Sequence, residues 1–212
     1  MTELTAVDIL VNPDSTTIER AKKVNERLRK SVPTGYALDA THQPHITTLQ
    51  RYIRSADLDK VFAAVGRTLA ATDISSLGYR VEGIHHVAWS TPGQGYAVFL
   101  VTPSPEVLTF QAALLTAVDL YAGSGGTAAA FFTDAADPDI NDTTRAWVDH
   151  FVPDQIGPKY QPHISLGFAT DDDLAVIEAE PFDAFDVHPA SVAVYQLGDN
   201  GNARKLLQEW KV

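Results

Sequence analysis

The sequence predicts an α+β fold built from two related halves. Two observations carry this reading. Short β-rich runs and amphipathic helical runs mix without the strict βαβ alternation of a parallel sheet. One pentapeptide pattern also recurs, Gln43-Pro44-His45-Ile46-Thr47 against Gln161-Pro162-His163-Ile164-Ser165. The 118 positions between His45 and His163 are too many for a stacked repeat, so two halves facing one another are expected.

The run Ala6-Val7-Asp8-Ile9-Leu10-Val11 reads as a buried strand that Asn12-Pro13-Asp14 ends. Thr16-x-x-Glu19 has the form of a capping box, and Ile18, Ala21, Val24 and Leu28 share one helical face. A helix is therefore expected over 16–31, closed by Pro33-Thr34-Gly35. A second helical pattern runs through Leu58, Val61, Phe62, Val65 and Leu69, with Ser55 placed as its cap. A third starts at Ser104-Pro105 and continues through Val107, Leu108, Gln111, Leu114 and Val118. Strands are expected at 45–52, 79–90, 95–101, 163–169, 191–197 and 203–210. Pro92-Gly93-Gln94-Gly95 joins two of them, and Asp199-Asn200-Gly201 closes the last hairpin. Segment 122–127 lacks the Lys-Ser/Thr of a phosphate loop and reads as a linker. A short helix is expected around 143–151, and Asp171-Asp172-Asp173 suits the start of another.

With 212 residues, 45% of them hydrophobic, the chain is long enough for one domain over 1–212. Its formal charge of −11 disfavours long nucleic acid and anionic membranes as partners. A small phosphorylated ligand needs only local donors and stays admissible. The absence of cysteine excludes disulfides, thiolate nucleophiles and Cys-ligated zinc. The N-terminus shows no basic-then-apolar leader and no apolar run approaches 18 residues, so a cytoplasmic chain without a membrane span is expected.

The histidine pair carries the chemistry. With 7 His and 29 Ser plus Thr, about one His-x-(Thr/Ser) triplet is expected by chance; the shared Gln-Pro and the apolar strand after each copy make coincidence a poor account. On a strand, residues two apart share a face. His45 and Thr47 therefore point together, with Leu49 and Arg51 continuing the row, and His163, Ser165 and Gly167 form the second row, its glycine leaving space above the sheet. If the rows face, two imidazoles and two hydroxyls converge. One imidazole can take a proton from the attacking water while the other gives one to the leaving oxygen. The hydroxyls of Thr47 and Ser165 can hold nonbridging phosphoryl oxygens.

These residues resemble the two-histidine (2H) phosphoesterases, which include RNA 2′,3′-cyclic phosphodiesterases often named 2′-5′ RNA ligases. The family's paired His-x-(Thr/Ser) motifs are matched by His45-Ile46-Thr47 and His163-Ile164-Ser165, and Ser191–Leu197 with Leu206–Trp210 looks like its closing hairpin. The resemblance implies a bilobal pseudo-twofold fold: two antiparallel sheets, helices outside, and a central cleft holding both motifs. It implies a metal-independent phosphodiesterase without cofactor, acting on a 2′,3′-cyclic phosphate or a related small nucleotide or short oligonucleotide. The motif spacing exceeds the family's usual one, and 122–158 is the expected insertion.

Arg51 is a candidate to neutralise phosphate, and His42 and Tyr160, at matching positions of the two copies, are candidates to stack on a base or ribose. His85, His86, His150 and His188 are assigned structural roles. His42 and His45 do not form a metal pair, because their spacing puts them on different strand faces. Two alternatives stand beside the leading reading: cleavage of a cyclic dinucleotide or 2′-5′ oligoadenylate in the same cleft, and a noncatalytic nucleotide-binding module. Sequence assigns neither the base and acid nor the oligomeric state.

Overall fold

Residues 2–135 and 137–212 are described in the computed structural model. In chain order the elements are β1 (Leu4–Pro13), α1 (Ser15–Ser31), β2 (Ile46–Arg54), α2 (Leu58–Ala70), β3 (Tyr79–Ala88), β4 (Gln94–Pro103), α3 (Pro105–Val118), β5 (Ala122–Gly123), α4 (Asp142–Gln155), β6 (His163–Thr170), α5 (Asp171–Ala179), β7 (Phe185–Val187), β8 (Pro189–Leu197) and β9 (Ala203–Lys211). They form two antiparallel sheets, β5-β2-β1-β8-β9 and β6-β4-β3-β7. The expected α+β architecture is present.

The two sequence halves do not map onto separate lobes. Helix α1 follows β1 yet packs on β6 of the second sheet, whereas α3 follows β4 yet packs on β2 of the first. Helix α2 lies beside α3, and α5 covers β3, β4 and β6. The crossing helices bury Leu28 and Leu114 completely in one continuous core. Each such side chain contributes about 1.5–3 kcal/mol by leaving water, so the halves hold one another in place.

Local signals were displaced at three points. Helix α1 is capped by Asp14 rather than by a box at Thr16, since Asp14 Oδ1 accepts from the Thr17 amide at 2.9 Å. Ser55 opens a 3₁₀ turn and bonds Thr5 instead of capping α2. In the expected linker, Ala122–Gly123 pairs with the edge of β2 as β5. Close approach explains Gly126, where a Cβ would collide with the Tyr52 ring, whereas Gly125 stands at φ +69°. Strand β7 had no counterpart in the sequence reading. No helix among the described residues is long and apolar enough to cross a membrane.

Candidate active site

Both histidine motifs break register at the same step, three residues past the histidine. Along β1 and β2, Asp8 faces Gln50, Ile9 faces Leu49 and Leu10 faces Thr47, leaving Thr48 as an unpaired bulge. Along β4 and β6, Tyr96 faces Phe168, Ala97 faces Gly167 and Val98 faces Ser165, leaving Leu166 unpaired. Each bulge inserts one residue, so the alternation slips. The cleft rows are His45, Thr47, Gln50 and His163, Ser165, Phe168.

The slip corrects two expectations. Arg51 leaves the row and pairs with Asp119 at 2.5 Å, away from the cleft. Gly167 opens no space above the sheet. It carries the bulge at φ +132°, and its missing Cβ would meet Asn25 Nδ2 at 2.9 Å.

A bulge leaves a carbonyl without its ladder partner. Here each is satisfied by a buried amide on the helix that crosses from the other half. Gln111 Nε2 of α3 donates to the Thr48 carbonyl at 3.0 Å, and Asn25 Nδ2 of α1 donates to the Leu166 carbonyl at 2.8 Å. Both amides are almost wholly buried.

The two imidazoles are oriented alike. His45 Nδ1 lies 2.8 Å from the Gln43 carbonyl and His163 Nδ1 lies 3.0 Å from the Gln161 carbonyl. A carbonyl only accepts, so Nδ1 carries hydrogen in both rings and Nε2 is the atom free to gain or lose a proton. His163 is held below the usual histidine range by the desolvating walls around it, with the nearby His45 adding to the effect.

Beneath Thr47 lies Asp8, fully buried in the middle of β1. Its Oδ2 accepts from Thr47 Oγ1 at 2.7 Å and from Gln50 Nε2 at 3.2 Å, and stands 4.0 Å from His45 Nε2. Its Oδ1 has no hydrogen-bond partner among the described residues. Burial raises the Asp8 carboxyl above its ordinary range, opposed by His45 and the two donors.

The cleft encloses about 570 Å³. One wall is a set of aromatic rings centred on Phe168 of β6, which lies 4.9 Å from Trp89 just past β3, 5.1 Å from Tyr96 of β4 and 5.7 Å from Tyr36 in the loop after α1. Helix α4, inside the segment expected as an insertion, presents Thr143, Trp147 and Phe151 from the other side. No Lys, Arg, Asp or Glu lines the cleft among the described residues, and no three His, Asp or Glu side chains converge there as a metal would require.

His42 lines the cleft, stacked on Tyr36 at 4.9 Å; burial, then the charge of Arg204, lowers its pKa. Tyr160 also borders the cleft, yet it is buried and donates its hydroxyl to the Thr47 carbonyl at 2.7 Å, so its ring is a tie between the halves rather than a stacking surface. His86 is turned to Glu178 at 2.9 Å. His85, given a structural role from sequence, pairs with Val98 and so shares the cleft face of Ser165. Asp8 and Trp89 were missed. A carboxylate in the middle of an otherwise apolar strand was the available signal for Asp8; nothing local marked Trp89.

Among solved structures, TT0787 of Thermus thermophilus shares this fold over 98% of this chain and 97% of that one, at 15% identity and a TM-score of 0.54. Escherichia coli LigT in apo form is similar at 12% identity, 99% and 98% coverage and a TM-score of 0.49. Kluyveromyces marxianus Usb1 with uridine monophosphate is similar at 10%, 97% and 98%, and 0.48. No family model and no curated protein matches the sequence. The likeness to TT0787 shows a shared fold.

Proposed function

We propose that this chain is a metal-independent phosphodiesterase that opens a 2′,3′-cyclic phosphate, or hydrolyses a related small nucleotide diester, by two-histidine acid–base catalysis. The observation that carries the reading is the matched delivery of two Nε2 atoms, Thr47 and Ser165 into one cleft by two strands with the same bulge. One Nε2 takes a proton from water as oxygen attacks phosphorus; the other Nε2–H protonates the ribose oxygen as its bond to phosphorus breaks. Ser165 donates to a nonbridging oxygen.

The lining favours a small substrate with one phosphoryl group. A cyclic diester carries a single negative charge, which one imidazolium can balance. With no Lys or Arg at the cleft among the described residues, a second phosphate or a long RNA backbone would be desolvated without a partner. The rings of Trp89 and His42 supply faces for a nucleobase.

The test is hydrolysis of nucleoside 2′,3′-cyclic phosphates in excess chelator. Wild type should turn over, and H45A and H163A should each lose about 10²–10⁴-fold in kcat. Full activity in either variant refutes the reading. Tight binding with no product in the wild type would support the noncatalytic alternative instead.

A further inference from the structure

The two crossing helices each carry one buried amide, and the two amides make the same set of bonds. Asn25 of α1 donates from Nδ2 to the Leu166 carbonyl at 2.8 Å and to the Tyr36 carbonyl at 3.0 Å, and its Oδ1 accepts from the Leu38 amide at 3.1 Å. Gln111 of α3 donates from Nε2 to the Thr48 carbonyl at 3.0 Å and to the Gln155 carbonyl at 3.0 Å, and its Oε1 accepts from the Gly157 amide at 3.0 Å. Each side chain thus commits both hydrogens and its oxygen to backbone. The partners of one amide belong to different motifs. Leu166 follows Ser165, whereas Tyr36 and Leu38 begin the approach to His45; Thr48 follows Thr47, whereas Gln155 and Gly157 begin the approach to His163.

We propose that Asn25 and Gln111 are positioning residues that hold the hydroxyl of one motif to the histidine of the other, Asn25 joining Ser165 to His45 and Gln111 joining Thr47 to His163. The kinetic consequence rests on the phosphodiesterase reading given above. Each imidazole is aimed by a carbonyl in its own approach, Gln43 for His45 and Gln161 for His163. A shift of the approach therefore moves Nε2. Each bulge residue is in turn the chain neighbour of a motif hydroxyl. Holding a bulge to an approach thereby holds a hydroxyl to an Nε2 from the opposite half. Neither segment drifts alone, because the amide between them is buried and no solvent reaches it to replace a lost bond.

Other contacts run the same way. The Tyr160 hydroxyl donates to the Thr47 carbonyl at 2.7 Å from a residue in the approach to His163. Gly157 stands at φ +62° where the chain leaves α4, and its amide meets Gln111 there. Tyr36, Leu38 and Gln155 also line the cleft, so the same bonds shape its walls. Acid–base catalysis by two side chains depends on their geometry, and a displacement of about 1 Å can cost about 10²-fold in rate.

Two measurements test this. On a nucleoside 2′,3′-cyclic phosphate, Gln111→Leu and Asn25→Leu should each lose about 10–100-fold in kcat with KM within about threefold, because misplacement is felt more in the transition state than in the bound substrate. Leu174→Ala opens a cavity under α5 and touches neither set of bonds; it should lower stability and leave kcat within about twofold. Wild-type kcat in folded Q111L or N25L, or an equal loss in L174A, overturns the proposal. If the leucine variants do not fold, Gln111→Asn decides: it keeps an amide but is one methylene shorter, so kcat should fall about tenfold, and an unchanged kcat overturns the proposal. Hydrogen exchange reads the ties without substrate. Gln111→Leu should speed exchange both beside Thr48 and over 157–163, and Asn25→Leu both beside Leu166 and over 38–45; a change confined to one segment of either pair overturns the proposal. Inactivity of the wild type on every diester would sink the phosphodiesterase reading, whereas the exchange pattern would still report whether each amide joins its two segments.

Discussion

Asp8 and Tyr96 occupy one position in two halves of the same fold, the one a carboxyl and the other a phenol. Each lies on a strand beside a histidine strand, two ladder steps from the residue opposite the motif hydroxyl, with the bulge between. A site built from near-repeats thereby differs in chemistry between its two halves.

A buried carboxylate raised above its ordinary range is a cost to folding. Its unfolded value is the lower one, so the unfolded chain releases the proton more readily, and stability declines as the pH rises from the ordinary carboxylate range through the folded value. Asp8→Asn should therefore raise the melting temperature at neutral pH, by about 2–4 °C for each kcal/mol gained. The gain should fade toward acid pH, where wild-type Asp8 is also neutral. Calorimetry at two pH values checks this.

The acid limb of kcat/KM should fall below pH 6.5. His163 has a folded value lowered from 6.5, so with His163 as the base of the pair activity survives to a more acid pH than an ordinary histidine permits. The same sign bears on folding: the unfolded chain takes up that proton first, so stability from neutral His163 is present at high pH and is lost as the pH falls from 6.5 toward the folded value. A pH–rate profile in which the limb lies above 6.5 contradicts the assignment.

The bulges depend on their amides. Gln111→Leu and Asn25→Leu each leave buried groups without partners, among them the Thr48 and Leu166 carbonyls, and each should cost about 1–3 kcal/mol for every group stranded. Gly167→Ala should be as harmful, through strain at φ +132° and collision with Asn25. Denaturant melts of the three variants measure the loss.

Arg51→Ala tests whether alternation or the bulge sets the row. Because Arg51 pairs with Asp119 outside the cleft, kcat/KM should stay within about twofold. A hundredfold loss would restore it to the site.

Trp89→Ala removes the most exposed ring of the aromatic wall. KM for a cyclic mononucleotide should rise about tenfold, as stacking on an aromatic side chain is worth about 1–3 kcal/mol. The kcat should change little, which steady-state kinetics resolves.

The α+β class, most element positions, both histidines and both hydroxyls were legible in the sequence because each rests on a local pattern: strand and helix periodicity, or a motif repeated in the chain. Tertiary structure decided what those patterns do together. Period-two alternation sent Arg51 and Gly167 into the site, and the bulges sent Gln50 and Phe168 there instead. A bulge is set by partners distant in sequence, here Asn25 and Gln111 on helices that cross between the halves, so no local rule could place it. The linker expected at 122–127 became an edge strand for the same reason, since β2 supplies its hydrogen bonds. The sequence by itself made the two halves look equivalent at their motifs; only the paired strands, by setting Asp8 beside one hydroxyl and Tyr96 beside the other, made them chemically different.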